Sequence, residues 1–216
     1  RLPASPGTPR RGLGRWETMR VHSAVTPSDL ERILRELDAC NDARKIIRPS
    51  DTPAAAWERW RDPAQLLWAA ARVGVDRAVV IAAAADCVSL IAKSQGKTWA
   101  VEMAAAFHAW TRGETTTREV CILYSSLRGG IPHYEGTGMD TTVSEILSCL
   151  EHPGCISNPA HDALLYERTL YNPGELADVV RARIPFPVVE KAYAEFSQEL
   201  VYAKAAKSAE TLDAVE

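Results

Sequence analysis

Five times in this chain a residue that caps helices is followed at once by proline: Thr26-Pro27, Thr52-Pro53, Asp62-Pro63, Asn158-Pro159 and Asn172-Pro173. A Thr, Asp or Asn oxygen accepts from the unpaired amides of a first helical turn. Proline suits the next position because its missing N–H would be unpaired there anyway. Each pair therefore predicts a helix start. No stretch alternates apolar and polar residues as a half-buried strand does. The sequence predicts an all-α protein, an irregular multi-helix bundle of about nine or ten helices with essentially no sheet.

The helices can be placed by their apolar stripes. Thr26 with Asp29 resembles a capping box and opens a helix to about Ile47, with Leu30, Ile33, Leu34 and Leu37 on one face. Thr52-Pro53 opens a short helix carrying Trp57 and Trp60, and Asp62-Pro63 opens one closed by Gly74. Residues 76–94 form an Ala-rich helix stopped by Gly96. Thr98 is expected to cap the next, which carries Met103, Phe107 and Trp110 and ends before Gly113. A helix from Thr116 to Arg128 leads into a long loop from Gly129 to Asp140. Helical pattern resumes with Val143, Ile146, Leu147 and Leu150, restarts at Pro159 and again at Pro173. It ends in a helix bearing Val189, Ala192, Tyr193, Phe196 and Leu200 after a turn set by Pro185 and Pro187. Residues 1–20 are expected to be a flexible Arg/Pro/Gly-rich arm, 21–203 a single helical domain, and 204–216 a frayed tail.

The net charge of -3 hides an asymmetry. Residues 1–20 sum to +4 and the remaining 196 to -7. Such a body is poorly suited to non-specific nucleic-acid binding, which needs a basic footprint, although the arm alone can touch phosphate. Five cysteines (Cys40, Cys87, Cys121, Cys149, Cys155) scattered through helical segments are not a disulfide framework. They read as reduced thiols of a cytoplasmic protein. The longest apolar run, Ala78 to Ala85, is broken by Asp86 and falls well short of the roughly 20 residues of a membrane span. The opening residues lack the apolar core of a signal peptide, and Met19 reads as a candidate start.

Chemistry is announced faintly. Cys149, His152, Cys155 and His161 bring four residues of zinc-ligand type close together. The two cysteines, however, are separated by five residues rather than the tight spacing of a zinc knuckle, and Cys149 sits on an apolar helical face. The plainer reading makes Cys149 core and His152 a helix C-terminal residue favoured by the dipole, so no metal or other cofactor is expected. Asp86 is a lone carboxylate in an apolar helix. Burial without a partner would cost several kcal/mol, so it must face solvent, a basic side chain or a helix N-terminus. An ion pair that fixes helix register is the plain reading, a partner-binding or catalytic acid the functional one. Trp57, Trp60, Trp68, Trp99 and Trp110 either pack the core or form a binding patch, with Trp57, Trp60 and Asp86 the partner-binding candidates. Neither His108 nor His133 stands in a nucleophile motif, and the glycines at 129, 130, 136 and 138 lack the Lys-Ser/Thr ending of a phosphate loop.

Ala39-Cys40-Asn41-Asp42-Ala43, Thr52-Pro53-Ala54-Ala55-Ala56-Trp57, Leu66-Leu67-Trp68 and Ala83-Ala84-Ala85-Asp86-Cys87, in this order, resemble the all-α immunity proteins of bacterial polymorphic toxin systems. The likeness extends through Ala109 to Glu114 and to Leu176–Val180 with Ile184-Pro185-Phe186. It departs at the Arg-rich arm, at residues 129–158 and at Val88-Ser89, where a basic residue is expected. The resemblance implies a non-catalytic protein that binds a cognate toxin or effector, an acidic body suiting a basic toxin domain such as a nuclease. The rival readings are a metal-dependent enzyme using the Cys/His cluster or a pocket at Asp86, and a phage or bacterial assembly protein whose basic arm contacts nucleic acid.

Overall fold

The structure, a computed structural model, describes residues 52–129, 138–152 and 172–198. The arm, the helices expected from Thr26 and Pro159, the interior of the loop after Gly129, and the tail lie outside them. Eight helices and no strand stand among the described residues: α1 (Pro53–Arg59), α2 (Pro63–Arg72), α3 (Arg77–Ser94), α4 (Thr98–Thr111), α5 (Thr117–Arg128), α6 (Met139–Glu151), α7 (Pro173–Arg183) and α8 (186–198). The fold is all-α. The described helices number eight, against the nine or ten expected of the whole chain.

The cap-proline pairs perform as their chemistry dictates. Thr52 Oγ1 accepts from Ala55 N at 3.2 Å, Asp62 Oδ1 from Ala64 N at 2.9 Å, and Asn172 Oδ1 from Gly174 N at 3.0 Å, each with proline at the next position. Asp76 caps α3, its Oδ1 accepting from Ala78 N at 2.8 Å. Thr116 and Glu119 form a full capping box on α5. Thr98 departs from expectation: it is the first residue of α4, the cap is Lys97, and no side chain bonds to the end amides. Pro187 lies inside the first turn of α8 rather than in the turn before it, where its lack of an N–H costs no hydrogen bond.

Helices α2, α3 and α4 end in one motif. After each, a glycine at positive φ (Gly74, Gly96, Gly113) turns the chain. The amide of the residue beyond it then reaches back to the carbonyl five positions earlier: Val75 to Ala70, Lys97 to Ala92 and Glu114 to Ala109. Two other helix ends are closed from a distance. Arg181 Nη1, on α7, donates to the Trp60 and Trp57 carbonyls at the end of α1 at 2.6 and 3.3 Å, and Arg77 Nη2, on α3, donates to the Cys149 carbonyl near the end of α6. The Arg77 guanidinium also lies 5.2 Å from the Trp110 ring centroid.

Helix α3 is the axle. Its buried residues, Val80 to Ala85, Cys87, Val88, Ile91 and Ala92, leave no wide polar face, the pattern of a helix surrounded by others. It packs most extensively against α4 and also against α2, α6 and α7. Phe107, Met103 and Ala104 of α4, Leu66 and Leu67 of α2, Val143 and Ile146 of α6 and Leu176 and Val180 of α7 fill the core around it. Helix α5 lies at the edge, burying only Val120 and Tyr124.

Two outcomes test this local chemistry. A Cβ at Gly113 would meet nothing within 4 Å, so Gly113→Ala carries only the cost of its φ of 72°. It should lower stability by about 1 kcal/mol in urea unfolding, with an unchanged denaturant slope. The Glu119 carboxyl is held below its ordinary value of 4.5 by the Thr116 backbone amide and hydroxyl. A carboxyl with a lowered folded-state pKa stabilises fully above its unfolded value and loses that contribution as pH falls through the folded one. Glu119→Gln should therefore lower the melting temperature at pH 7, and the gap to the parent chain should close as the pH is taken below 4.5. A gap that stays constant into acid would refute the assignment.

Candidate functional site

Asp86 lies beyond the middle of α3, where α4 and α7 both pass close, and the basic ends of those two helices meet on it. Arg183, the last residue of α7, forks onto the carboxylate with Nε to Oδ2 at 2.8 Å and Nη2 to Oδ1 at 3.2 Å. His108, in the last turn of α4, brings Nε2 to 3.0 Å from Oδ1. Basic side chains suit these positions because a helix C-terminus carries partial negative charge. The cluster is half-wet: the side chains of Asp86, His108 and Arg183 are 27%, 23% and 46% exposed. The hydrogen bonds that Arg183 donates to Asp86 hold the guanidinium pKa above its ordinary value, so it stays charged.

Beside the cluster opens a cleft of about 450 Å³ lined by Ala82, Ala105, His108, Thr111, Arg112 and Arg183. On α3 and α4 it is lined by the small side chains of Ala82 and Ala105, which leave room there. Arg112, the residue that ends α4, is aligned by a second carboxylate: its Nε and Nη2 donate to Glu114 Oε1 and Oε2 at 2.7 and 2.6 Å. The turn at Gly113 makes that pairing across two residues geometrically possible. Thr111 Oγ1 donates to the His108 carbonyl at 2.8 Å. Cys87, next to Asp86 in sequence, points the other way: it is fully buried, its Sγ lies 3.8 Å from the Leu176 carbonyl oxygen, and burial, then the Asp86 charge, push the thiol far above its ordinary value. It is not a nucleophile for the cleft. Among the described residues no Ser or Cys side chain bonds to the His108 ring, so the cleft presents hydrogen-bond donors rather than a nucleophile with its base.

The other candidates land elsewhere. Trp57 and Trp60 are 3% and 5% exposed and belong to the core. Their indole nitrogens have no hydrogen-bond partner among the described residues. Trp68, Trp99 and Trp110 pack partly buried against the same core, and Trp110 Nε1 donates to Thr117 Oγ1 at 3.0 Å. Of the zinc-type quartet, Cys149 is buried on α6 and His152 is exposed at that helix's end, while Cys155 and His161 lie outside the described residues. No group of three or more His, Cys, Asp or Glu among the described residues is placed to hold a metal ion. No described helix is long and apolar enough to cross a membrane.

Arg183, Arg112 and the role of His108 were not foreseen. The usable signal was a basic residue in the last turn of two helices that had to pack on the one holding Asp86. Comparison with protein-family models, curated proteins and solved structures finds no match to this chain.

The cluster has a measurable energy. Asp86→Ala leaves Arg183 and His108 without their shared acceptor and should destabilise the fold by about 2 kcal/mol, the scale of hydrogen bonds to charged groups. In a double-mutant cycle with Arg183→Ala the coupling should be about 1 kcal/mol, whereas additive losses would show that the pair contributes nothing.

Proposed function

We propose that this chain is a binding protein that neutralises a cognate effector by protein-protein contact in the cytoplasm, as the immunity proteins it resembles do. The observation that carries the reading is spatial. The segments bearing the resemblance are far apart in sequence, yet three of them, around Asp86, around Ala109–Glu114 and around Leu176–Phe186, lie on α3, α4 and α7 or at their ends and meet at one polar face. Trp57, Trp60, Leu66 and Leu67, from two further segments of the resemblance, belong to the buried core. The contact surface is polar. Among the described residues only Ile122 and Val188 are large apolar side chains classed as exposed, at 58% and 39%, and they lie on different helices.

The acidic body suits a basic effector, because opposite fields raise encounter rates and penalise wrong partners. Inhibition needs no chemistry from this chain; covering the effector's active face is sufficient. The test is co-expression with a toxin-domain protein encoded beside it, followed by native mass spectrometry of the complex. The expected result is relief of toxicity and a one-to-one complex that Asp86→Arg, which reverses the charge at the centre of the face, weakens at least tenfold. Relief of toxicity without a complex would overturn direct neutralisation.

A second reading, an enzyme acting at the Asp86 cleft, is favoured by the presence of an open polar cleft beside a His–Asp pair. Turnover of a substrate that is lost in His108→Gln while the fold is kept would put that reading first.

A further inference from the structure

We infer that the cleft between α3, α4 and α7 is a receptor for a carboxylate. This goes beyond the reading above, since the chemistry the cleft selects is fixed by its own donors whichever molecule supplies the group.

Two guanidinium groups line it, and each is half spent. Arg183 uses Nε and Nη2 on Asp86, and Arg112 uses Nε and Nη2 on Glu114. In both, Nη1 has no partner among the described residues. A guanidinium pinned along one edge keeps its remaining N–H groups aimed in a fixed direction, so binding through them loses little side-chain freedom. Asp86 and Glu114 thus act as positioning residues. Both arginines line the cleft together with the small side chains of Ala82 and Ala105.

The charge count chooses among anions. Two arginines are matched by two carboxylates, and α4 and α7 end at this place, adding the slight negative charge of two helix C-termini. The cleft therefore offers directed donors without a strong positive field. That combination suits a planar monoanion that takes N–H groups side by side and disfavours a compact dianion such as phosphate, which needs net positive charge. The carboxylate can come from a small organic acid or from an acidic side chain of a protein.

The experiment is an NMR titration of the ¹⁵N-labelled full chain at constant pH and ionic strength, with acetate, a blocked glutamate peptide and inorganic phosphate as probes and chloride as the reference salt. Acetate should produce saturable shifts confined to amides near Ala105–Glu114 and Arg183. Arg112→Gln, at a side chain 56% exposed and outside the core, should weaken binding about tenfold. Ala105→Leu, at an exposed position, should fill the cleft and abolish binding while the rest of the spectrum stays unchanged. A peptide that binds tighter than acetate assigns the site to protein side chains; equal affinity assigns it to small acids. Linear shifts, binding that survives both substitutions, or phosphate binding tighter than acetate would overturn the inference.

Discussion

The arrangement depends on a helix that can be surrounded. Most helices keep one polar face and pack along one stripe, but α3 gives core contacts to α2, α4, α6 and α7, and its run of alanines from 82 to 85 lets neighbouring backbones approach closely. A central helix of that kind is poor in positional information, because small apolar side chains fit many registers almost equally well. Asp86 supplies what the alanines lack. A carboxylate among apolar side chains needs polar partners or water, and the packing of α4 and α7 on α3 brings both His108 and Arg183 to Asp86. The contacts that satisfy this carboxylate therefore tie α3 to two of its neighbours.

Helix ends carry the second layer of specificity. Each helix leaves several carbonyls unpaired at its C-terminus, and every carbonyl left dry is an energetic debt. Here they are settled in two ways. Local settlement by glycine turns after α2, α3 and α4 is independent of the rest of the fold. Settlement by Arg181 on α1 and Arg77 on α6 ties helix pairs distant in sequence, 121 residues apart for Arg181 and Trp60 and 72 for Arg77 and Cys149. The side chain of Arg181 is only 10% exposed, so it behaves as a core strut with a charged tip rather than as a surface group.

What was legible in the sequence follows the range of the interaction. Caps at Thr52, Asp62 and Asn172 and stops at Gly74, Gly96 and Gly113 depend on three to six neighbouring residues, so residue type and spacing determine them. Thr98 was misplaced by one position because α4 begins without a side-chain cap, and a helix that starts on packing alone leaves no local mark. Burial of Trp57 and Trp60 was one of two open readings, since an aromatic stripe looks the same whether it meets a core or a partner. Asp86 could be marked as needing solvent, a basic side chain or a helix N-terminus, but not matched to a particular partner. Arg183 lies 97 residues away, and nothing local distinguishes it from Arg181, which turned to α1 instead.

The cleft is a by-product of the same economy. Ala82 and Ala105 line it, and the side-chain volume they lack is what remains open at the surface. Gly113 then folds Glu114 back onto Arg112, and Asp86 holds Arg183, so both guanidinium groups are oriented by carboxylates of the chain itself. A site assembled this way draws both of its guanidinium donors from positions already set by the bundle and its helix-end turn. The acidic charge spread over the rest of the chain works at longer range, where it governs which molecules approach. At contact distance the directed N–H groups decide what is held, and the two scales act on different features of one partner: its overall field, and a single carboxylate on its surface.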